Sequence, residues 1–330
     1  MRASNPRHEA DRPGDTPRGG ALGGAQAAAA VLMVRPANFG WNAETQQSNR
    51  FQRLVTTLEA SAQARALAEF DGLVGALRDA GVEVCVVDDE PLPRCPDAVF
   101  PNNWVSFHAD GTAVLYPMLA PNRRRERRLE HLSRLAVETG RRVCRLLDLS
   151  HHELRGHCLE GTGSIVFDHV ARVAYAALSP RTHPAPLEDL CGELGYRSCV
   201  FEATDAAGVA IYHTNVMLAI GTGFVVLAVD AIASAARERV LAALADSGRE
   251  VFPIDADAMA TFAGNVLELR AQDGRRVLAL SEAAASALGP ARLEALGRHV
   301  DRTVTAPIPT IEALGGGSVR CMLAEVFLPR

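Results

Sequence analysis

Four residues far apart in the chain, Asp97, Glu160, His213 and Cys321, are of the types that together perform covalent chemistry. Cys321 follows a glycine-rich stretch, Gly315-Gly316-Gly317-Ser318-Val319-Arg320-Cys321. Glycine lets a backbone approach a ligand closely or take a positive φ. A thiol just past such a turn can be reachable and readily ionised. The plainer reading is a core cysteine at the start of a strand. His213 lies in Ile211-Tyr212-His213-Thr214-Asn215, ahead of an apolar run. Alone it reads as a satisfied structural histidine; beside a thiol it would take a proton and return it to a leaving group. Glu160 lies between Leu159 and Gly161, entering a buried strand, which is a poor place for a solvated charge. Asp97 lies in Pro96-Asp97-Ala98, shortly before Asn102-Asn103-Trp104. Pro-Asp and Asn-Asn are also ordinary turn chemistry. The other six cysteines read as structural: Cys85, Cys144 and Cys199 fall in strand patterns, and Cys95, Cys158 and Cys191 lack a recognisable base-bearing motif.

A recurring unit of helix, buried strand, irregular loop and hairpin could bring these residues together. The first copy has a helix over 48–80, a strand at 82–87 and a hairpin of 105–107 with 113–116. In the second, helix 124–138 leads to strand 142–147 and hairpin 164–167 with 171–176. The third has helix 187–194, strand 197–201 and hairpin 215–220 with 224–229. The fourth has helix 231–246, strand 250–254 and hairpin 265–270 with 276–280. The fifth has helix 291–296, strand 302–306 and a last strand over 319–328, whose missing partner is 30–35 from the other end of the chain. Five units at roughly 50–60 residue spacing predict a closed array; a two-domain α/β sheet is the alternative. In such an array the loops between each buried strand and its hairpin converge. They carry Asp97, Glu160, His213 and Cys321, and the fourth offers Asn265.

Composition narrows the function classes. The 330 residues are 48% hydrophobic, enough for a large core, and the formal net charge of -5 argues against a nucleic-acid partner. No apolar run has the length of a membrane helix. Seven cysteines without regular spacing predict reduced thiols and a cytoplasmic protein. Residues 1–29, rich in Pro, Gly, Arg and Ala, predict a disordered tail, with a translation start near Met33 as the other reading; 30–330 form one catalytic domain. The run Arg123–Arg128 reads as a solvated face.

The motifs resemble those of the guanidine-modifying (pentein) superfamily, which includes arginine and agmatine deiminases, dimethylarginine dimethylaminohydrolases and amidinotransferases. The nearest likeness is to the bacterial citrulline-utilisation hydrolase branch. It rests on Arg35-Pro36-Ala37-Asn38-Phe39-Gly40 with Asn42-Ala43-Glu44-Thr45, Asp97 to Trp104, Tyr116-Pro117-Met118, Leu159 to Phe167 and the glycine-rich loop at Cys321. The resemblance implies an α/β fold built as a five-bladed pseudo-symmetric α/β-propeller. It makes Cys321 the nucleophile, His213 the general acid and base, and Glu160 and Asp97 the guanidine-binding carboxylates. Arg181, in Leu178-Ser179-Pro180-Arg181-Thr182, would hold a substrate carboxylate, and Asn102, Asn103 and Arg35 would join in substrate binding. Deiminases often carry an acid two residues after the catalytic histidine, where this chain has Asn215. The expected reaction is hydrolysis at the guanidino or ureido carbon of an arginine-, methylarginine- or citrulline-like amino acid. No cofactor, metal, nucleic acid or membrane is called for, and a homodimer is left open. Alternatives are an amidinotransferase using the same residues, a metal-dependent hydrolase built on His151, His152, His157, Cys158 and Glu160, and a non-catalytic amino-acid-binding module.

Overall fold

The computed structural model describes residues 25–54 and 61–330. In chain order its strands are β1 (Ala30–Arg35), β2 (Glu83–Asp88), β3 (Val105–Phe107), β4 (Thr112–Leu115), β5 (Arg145–Asp148), β6 (Val166–Asp168), β7 (Val173–Ala177), β8 (Arg197–Phe201), β9 (Leu218–Ile220), β10 (Phe224–Leu227), β11 (Glu250–Pro253), β12 (Leu267–Arg270), β13 (Arg276–Ser281), β14 (Arg302–Ala306) and β15 (Ala324–Val326). They form groups of three with one plan, in which an antiparallel pair gains a third strand parallel to its second. The groups are β3–β4 with β5, β6–β7 with β8, β9–β10 with β11, β12–β13 with β14, and β15–β1 with β2. Parallel neighbours need a long crossover. Here each crossover is a helix: Ala62–Asp79, Leu129–Thr139, Pro184–Leu194, Ser234–Ala245 and Glu282–Gly297. The ends of the chain complete the remaining group, as expected: Val31 pairs with Glu325 and Leu32 with Ala324. A bridge between Val326 and Phe107 joins that group to β3–β5 in a six-stranded sheet, and the other groups are three-stranded sheets.

Burial follows this plan. The middle strands β4, β7 and β10 are buried along their whole length, whereas β5 and β14 are largely exposed at the group edges. Strands covered on both faces read as continuous apolar runs, and Phe224-Val225-Val226-Leu227 is one. Helix Ala62–Asp79 turns Ala62, Ala66, Phe70, Leu73, Val74 and Leu77 inward, a one-sided stripe at helical spacing. Among the described residues, no helix is long and apolar enough to cross a membrane.

Several predicted bounds shift. The helix expected over 48–80 occupies Ala62–Asp79; 48–54 are turn and loop, and 55–60 lie outside the described residues. Tertiary bonds account for the difference, because the Asn49 and Gln52 side-chain amides donate to the carbonyls of Gly316 and Leu314. The helix expected over 124–138 is a 3-10 turn, Arg123–Glu126, followed by Leu129–Thr139. The helix expected over 291–296 begins at Glu282 and continues across a kink at Gly289-Pro290. The last strand shortens to β15, with a 3-10 turn at Val319–Met322 before it.

The expected tail boundary at residue 29 also moves. Ala27 and Ala28 are buried, Ala28 bridges Leu269, and the Gln26 amide donates to the carbonyls of Phe167 and Ile220 at 3.0 and 3.1 Å. Gln26 Oε1 in turn accepts from the His169 backbone at 3.0 Å. The remainder of the expected tail, 1–24, lies outside the described residues. Gln26 thus ties β6 to β9, and Ala28 lies along β12. Gln26→Ala strands buried backbone carbonyls, so urea unfolding should report a loss of about 1–3 kcal/mol. No loss would mean the segment is not docked in solution.

Candidate active site

The first strand of a group is entered through one tight helical turn: Pro101–Asn103 before β3, Gly161–Ser164 before β6, Thr214–Val216 before β9 and Val319–Met322 before β15. Before β12 the chain makes a hydrogen-bonded turn from Phe262 to Asn265. The first of these turns packs on the second and the last, and the second packs on the third. Residues from different groups are thereby brought together.

Glu160 is the hub. It is fully buried, and its Oε2 receives His213 Nε2 at 2.9 Å and Arg181 Nη1 at 3.2 Å, while Oε1 accepts from the Leu119 backbone at 3.1 Å. Arg123 Nη1 stands 3.7 Å from the same carboxylate. Burial opposes the charge, but Arg181, His213 and Arg123 outweigh it and hold the carboxyl well below its usual range. An ionised Glu160 makes Nε2 of His213 the donor and leaves Nδ1 with the lone pair. Burial is the larger influence on His213, pushing it down to about 4 against the pull of Glu160, so the ring is neutral at pH 7.

Cys321 is held from two sides by amides. Asn215 Nδ2 lies 3.6 Å and Asn265 Nδ2 3.4 Å from its sulfur, and Asn265 also donates to the Asn215 carbonyl at 2.9 Å. The sulfur therefore lies against the segment that carries His213. Gly316, at φ +64, turns the chain ahead of Cys321, and its Cα passes so close to Asn49 and Gln52 that a Cβ would sit 2.6 Å from each side chain. Gly163 plays a comparable part under the histidine. A Cβ there would fall 2.6 Å from Asn103 Nδ2 and 2.7 Å from His213 Nδ1.

Asp97 is buried beside this centre. Its Oδ2 accepts from Asn42 Nδ2 at 2.7 Å and stands 3.6 Å from Arg123 Nε. Its Oδ1 and the Nδ2 of Asn102 have no hydrogen-bond partner among the described residues. Burial pushes Asp97 up, against Arg123 and Asn42. Asn103 donates to Asn102 Oδ1 and accepts from Arg123 Nη1, both at 2.9 Å.

A sequence model of the family described as N,N dimethylarginine dimethylhydrolase, eukaryotic, matches residues 35–328. The chain belongs to this dimethylarginine dimethylhydrolase family. Membership bears out the expected superfamily, whose described relatives are guanidine-modifying enzymes. Solved structures share the fold at low identity. The product-bound N-terminal domain of ArgZ, an arginine dihydrolase from the ornithine-ammonia cycle in cyanobacteria, matches with a TM-score of 0.69 and 17% identity, over 91% of this chain and 98% of that one. AgrE in ternary complex with ornithine and NAD+ matches with a TM-score of 0.69 and 18% identity, over 91% of this chain and 39% of that one. A dimethylarginine dimethylaminohydrolase adduct with 4-chloro-2-hydroxymethylpyridine matches with a TM-score of 0.58 and 14% identity, over 89% of this chain and 97% of that one. The chain thus spans about two fifths of the full-length ArgZ and AgrE chains. No functionally curated protein matches it.

Some residues sit elsewhere than the sequence suggested. Arg35 is not in this site; it forms a bidentate pair with Asp71 at 2.9 and 2.8 Å on the surface. Arg181 is in the site, but its guanidinium is engaged by Glu160, the Thr45 carbonyl and the Ser48 hydroxyl. The zinc set of the metal-dependent alternative divides, since Glu160 turns to His213 while His152 pairs with Asp189. Arg123, read as part of a solvated face, is 2% exposed. Its fork to Glu126, at 3.0 and 2.9 Å, is an i,i+3 pair that was visible in the sequence.

Two measurements probe this site. Gly163→Ala crowds only side-chain atoms, so the fold should survive while kcat falls by on the order of 100-fold through a displaced His213; unchanged kcat would show that the ring tolerates the shift. His108 and His213 are both pushed by burial from 6.5 down to about 4. Between those values the unfolded chain binds more protons, so stability that is complete above pH 6.5 is lost as pH falls toward 4. Urea unfolding at steps from pH 7.5 to 5 should show this fall. His108→Gln should flatten it by up to about 1.4 kcal/mol per pH unit.

Proposed function

We propose that the protein is a cysteine-dependent hydrolase of the guanidino carbon of a free arginine-like amino acid. In this reading the described residues form a single catalytic domain, with the strand groups as the blades of a five-bladed pseudo-symmetric α/β-propeller. One observation carries it: Asp97, Glu160, His213 and Cys321 come from separate loops, yet Arg123 and Glu160 link Asp97 to His213, and Cys321 lies against Asn215, two residues after His213. Asp97 Oδ1, buried and without a partner among the described residues, is an acceptor available to a guanidinium N–H.

The chemistry follows from the placement of the groups. Neutral His213 accepts the Cys321 proton at Nδ1, and the amide N–H groups of Asn215 and Asn265 suit the resulting thiolate. Carboxylates forked against the guanidinium fix its plane over the sulfur. The S–C bond forms as the C=N electron pair moves onto nitrogen. The amine then leaves with the proton from His213, because a neutral amine departs where an amide anion does not. Water, deprotonated by His213, attacks the amidino carbon. The S–C bond breaks and returns its electron pair to sulfur, and a ureido product and the enzyme remain.

A panel of arginine, methylarginines and citrulline, scored for ammonia, methylamines and ornithine, identifies the substrate. With it, Cys321→Ala should eliminate turnover while leaving circular dichroism and the unfolding midpoint unchanged. Acid-quenched wild-type enzyme should carry the amidino mass on Cys321. Full activity in the variant would end the proposal.

A further inference from the structure

A second cluster of potential ligands lies outside the catalytic centre. His151 and His152, in the 3-10 turn Ser150–Arg155, meet Asp189 of helix Pro184–Leu194, and one donor atom from each lies within 4.8 Å of the others. An ion with bonds of about 2.0–2.2 Å in tetrahedral geometry spaces its ligand atoms roughly 3.3–3.6 Å apart, so small side-chain rotations would close the set. His152 is 3% exposed, and its Nε2 lies 2.8 Å from Asp189 Oδ2. Its Nδ1 is buried with no partner among the described residues. His151 Nδ1 lies 3.2 Å from the Asp148 carbonyl. Metal-binding histidines are commonly oriented by such a bond, which leaves Nε2 for the ion.

Two further imidazoles border the cluster. His157 stacks on His183 at 3.8 Å, with planes 5° apart, and lies 6.2 Å from His152. The cluster also sits where a clip would matter. His152 is eight residues before Glu160, and Asp189 is eight residues after Arg181. The two segments already meet through His183 N to the Cys158 carbonyl at 2.7 Å and Glu160 N to the Arg181 carbonyl at 3.2 Å.

We propose that His151, His152 and Asp189 bind one divalent transition-metal ion of the zinc class, with water completing its shell, and that this ion clips the two segments carrying Glu160 and Arg181. The site has no ligand in common with the catalytic set.

The test uses the full chain, stripped with a chelator, dialysed against Zn2+ and assayed with and without alkylation of Cys321. One equivalent of Zn2+ should bind in both states and should raise the unfolding temperature. His151→Ala and Asp189→Ala remove exposed groups and should fold normally, yet each should weaken binding about tenfold or more and abolish the thermal shift. Co2+ in place of Zn2+ should give visible ligand-field bands without a thiolate charge-transfer band. Binding undiminished in both variants, binding lost on alkylation, a thiolate band, or no binding at all would each overturn the proposal.

Discussion

A buried carboxylate without partners is among the costliest things a protein can contain, and the architecture around Glu160 answers that cost. Ionised and fully enclosed, it needs Arg181, Arg123 and His213 around it. Removing one member of such a set typically costs about 3–5 kcal/mol, because the others are left buried and unpaired. The residues of the network come from turns separated by tens of residues, so its electrostatics hold only while those turns remain packed together. Stability of the fold and readiness of the site are therefore coupled: whatever loosens the turns also exposes or strands the charges.

The strand groups explain how such a network can be assembled. Each places a tight turn at the entry to its first strand, and the middle strand is buried along its length in most groups, which fixes the register. One plan used repeatedly yields equivalent positions, and the side chains there have diverged: a carboxylate near one turn, a carboxylate and an imidazole at two others, a thiol at the last. The turn before β12 carries Asn265. It supplies no charge, but it donates both to the Asn215 carbonyl and toward the sulfur of Cys321, so it helps fix the position of that sulfur.

What was legible in the sequence follows from what local patterning encodes. β1 and β14 appear with the bounds that apolar spacing predicted, and the chain ends pair as the unmatched strand required. Asp97, Glu160, His213 and Cys321 stood out because reactive side chains flanked by glycine, proline or apolar residues are hard to explain as surface. Arg123 did not, because in a run of arginines the local pattern is that of a solvated face, and its burial is decided by Asp97, Asn103 and Glu160 at long range. Arg35 erred the other way: a motif position suggested the site, whereas the end of β1 places its guanidinium beside Asp71. The loop 48–54 has helical spacing, yet hydrogen bonds from Asn49 and Gln52 to the glycine-rich segment determine its shape. Long-range polar partners override local propensity in each case.

Asn215, where a deiminase-like pattern would place an acid, takes on physical meaning from this geometry. Its amide lies within 3.6 Å of the sulfur. A carboxylate there would stand beside the thiolate and oppose its formation, as like charges do at close range. An amide instead offers an N–H. On the proposed reading, the negative charge offered to a substrate cation comes from Asp97 and Glu160, and both already face Arg123. That arginine offsets their negative charge while leaving Asp97 Oδ1 without a partner among the described residues. On the proposed reading, recognition depends less on a bare excess of charge than on whether a ligand presents a donor to that one oxygen, with its carbon in line with the sulfur.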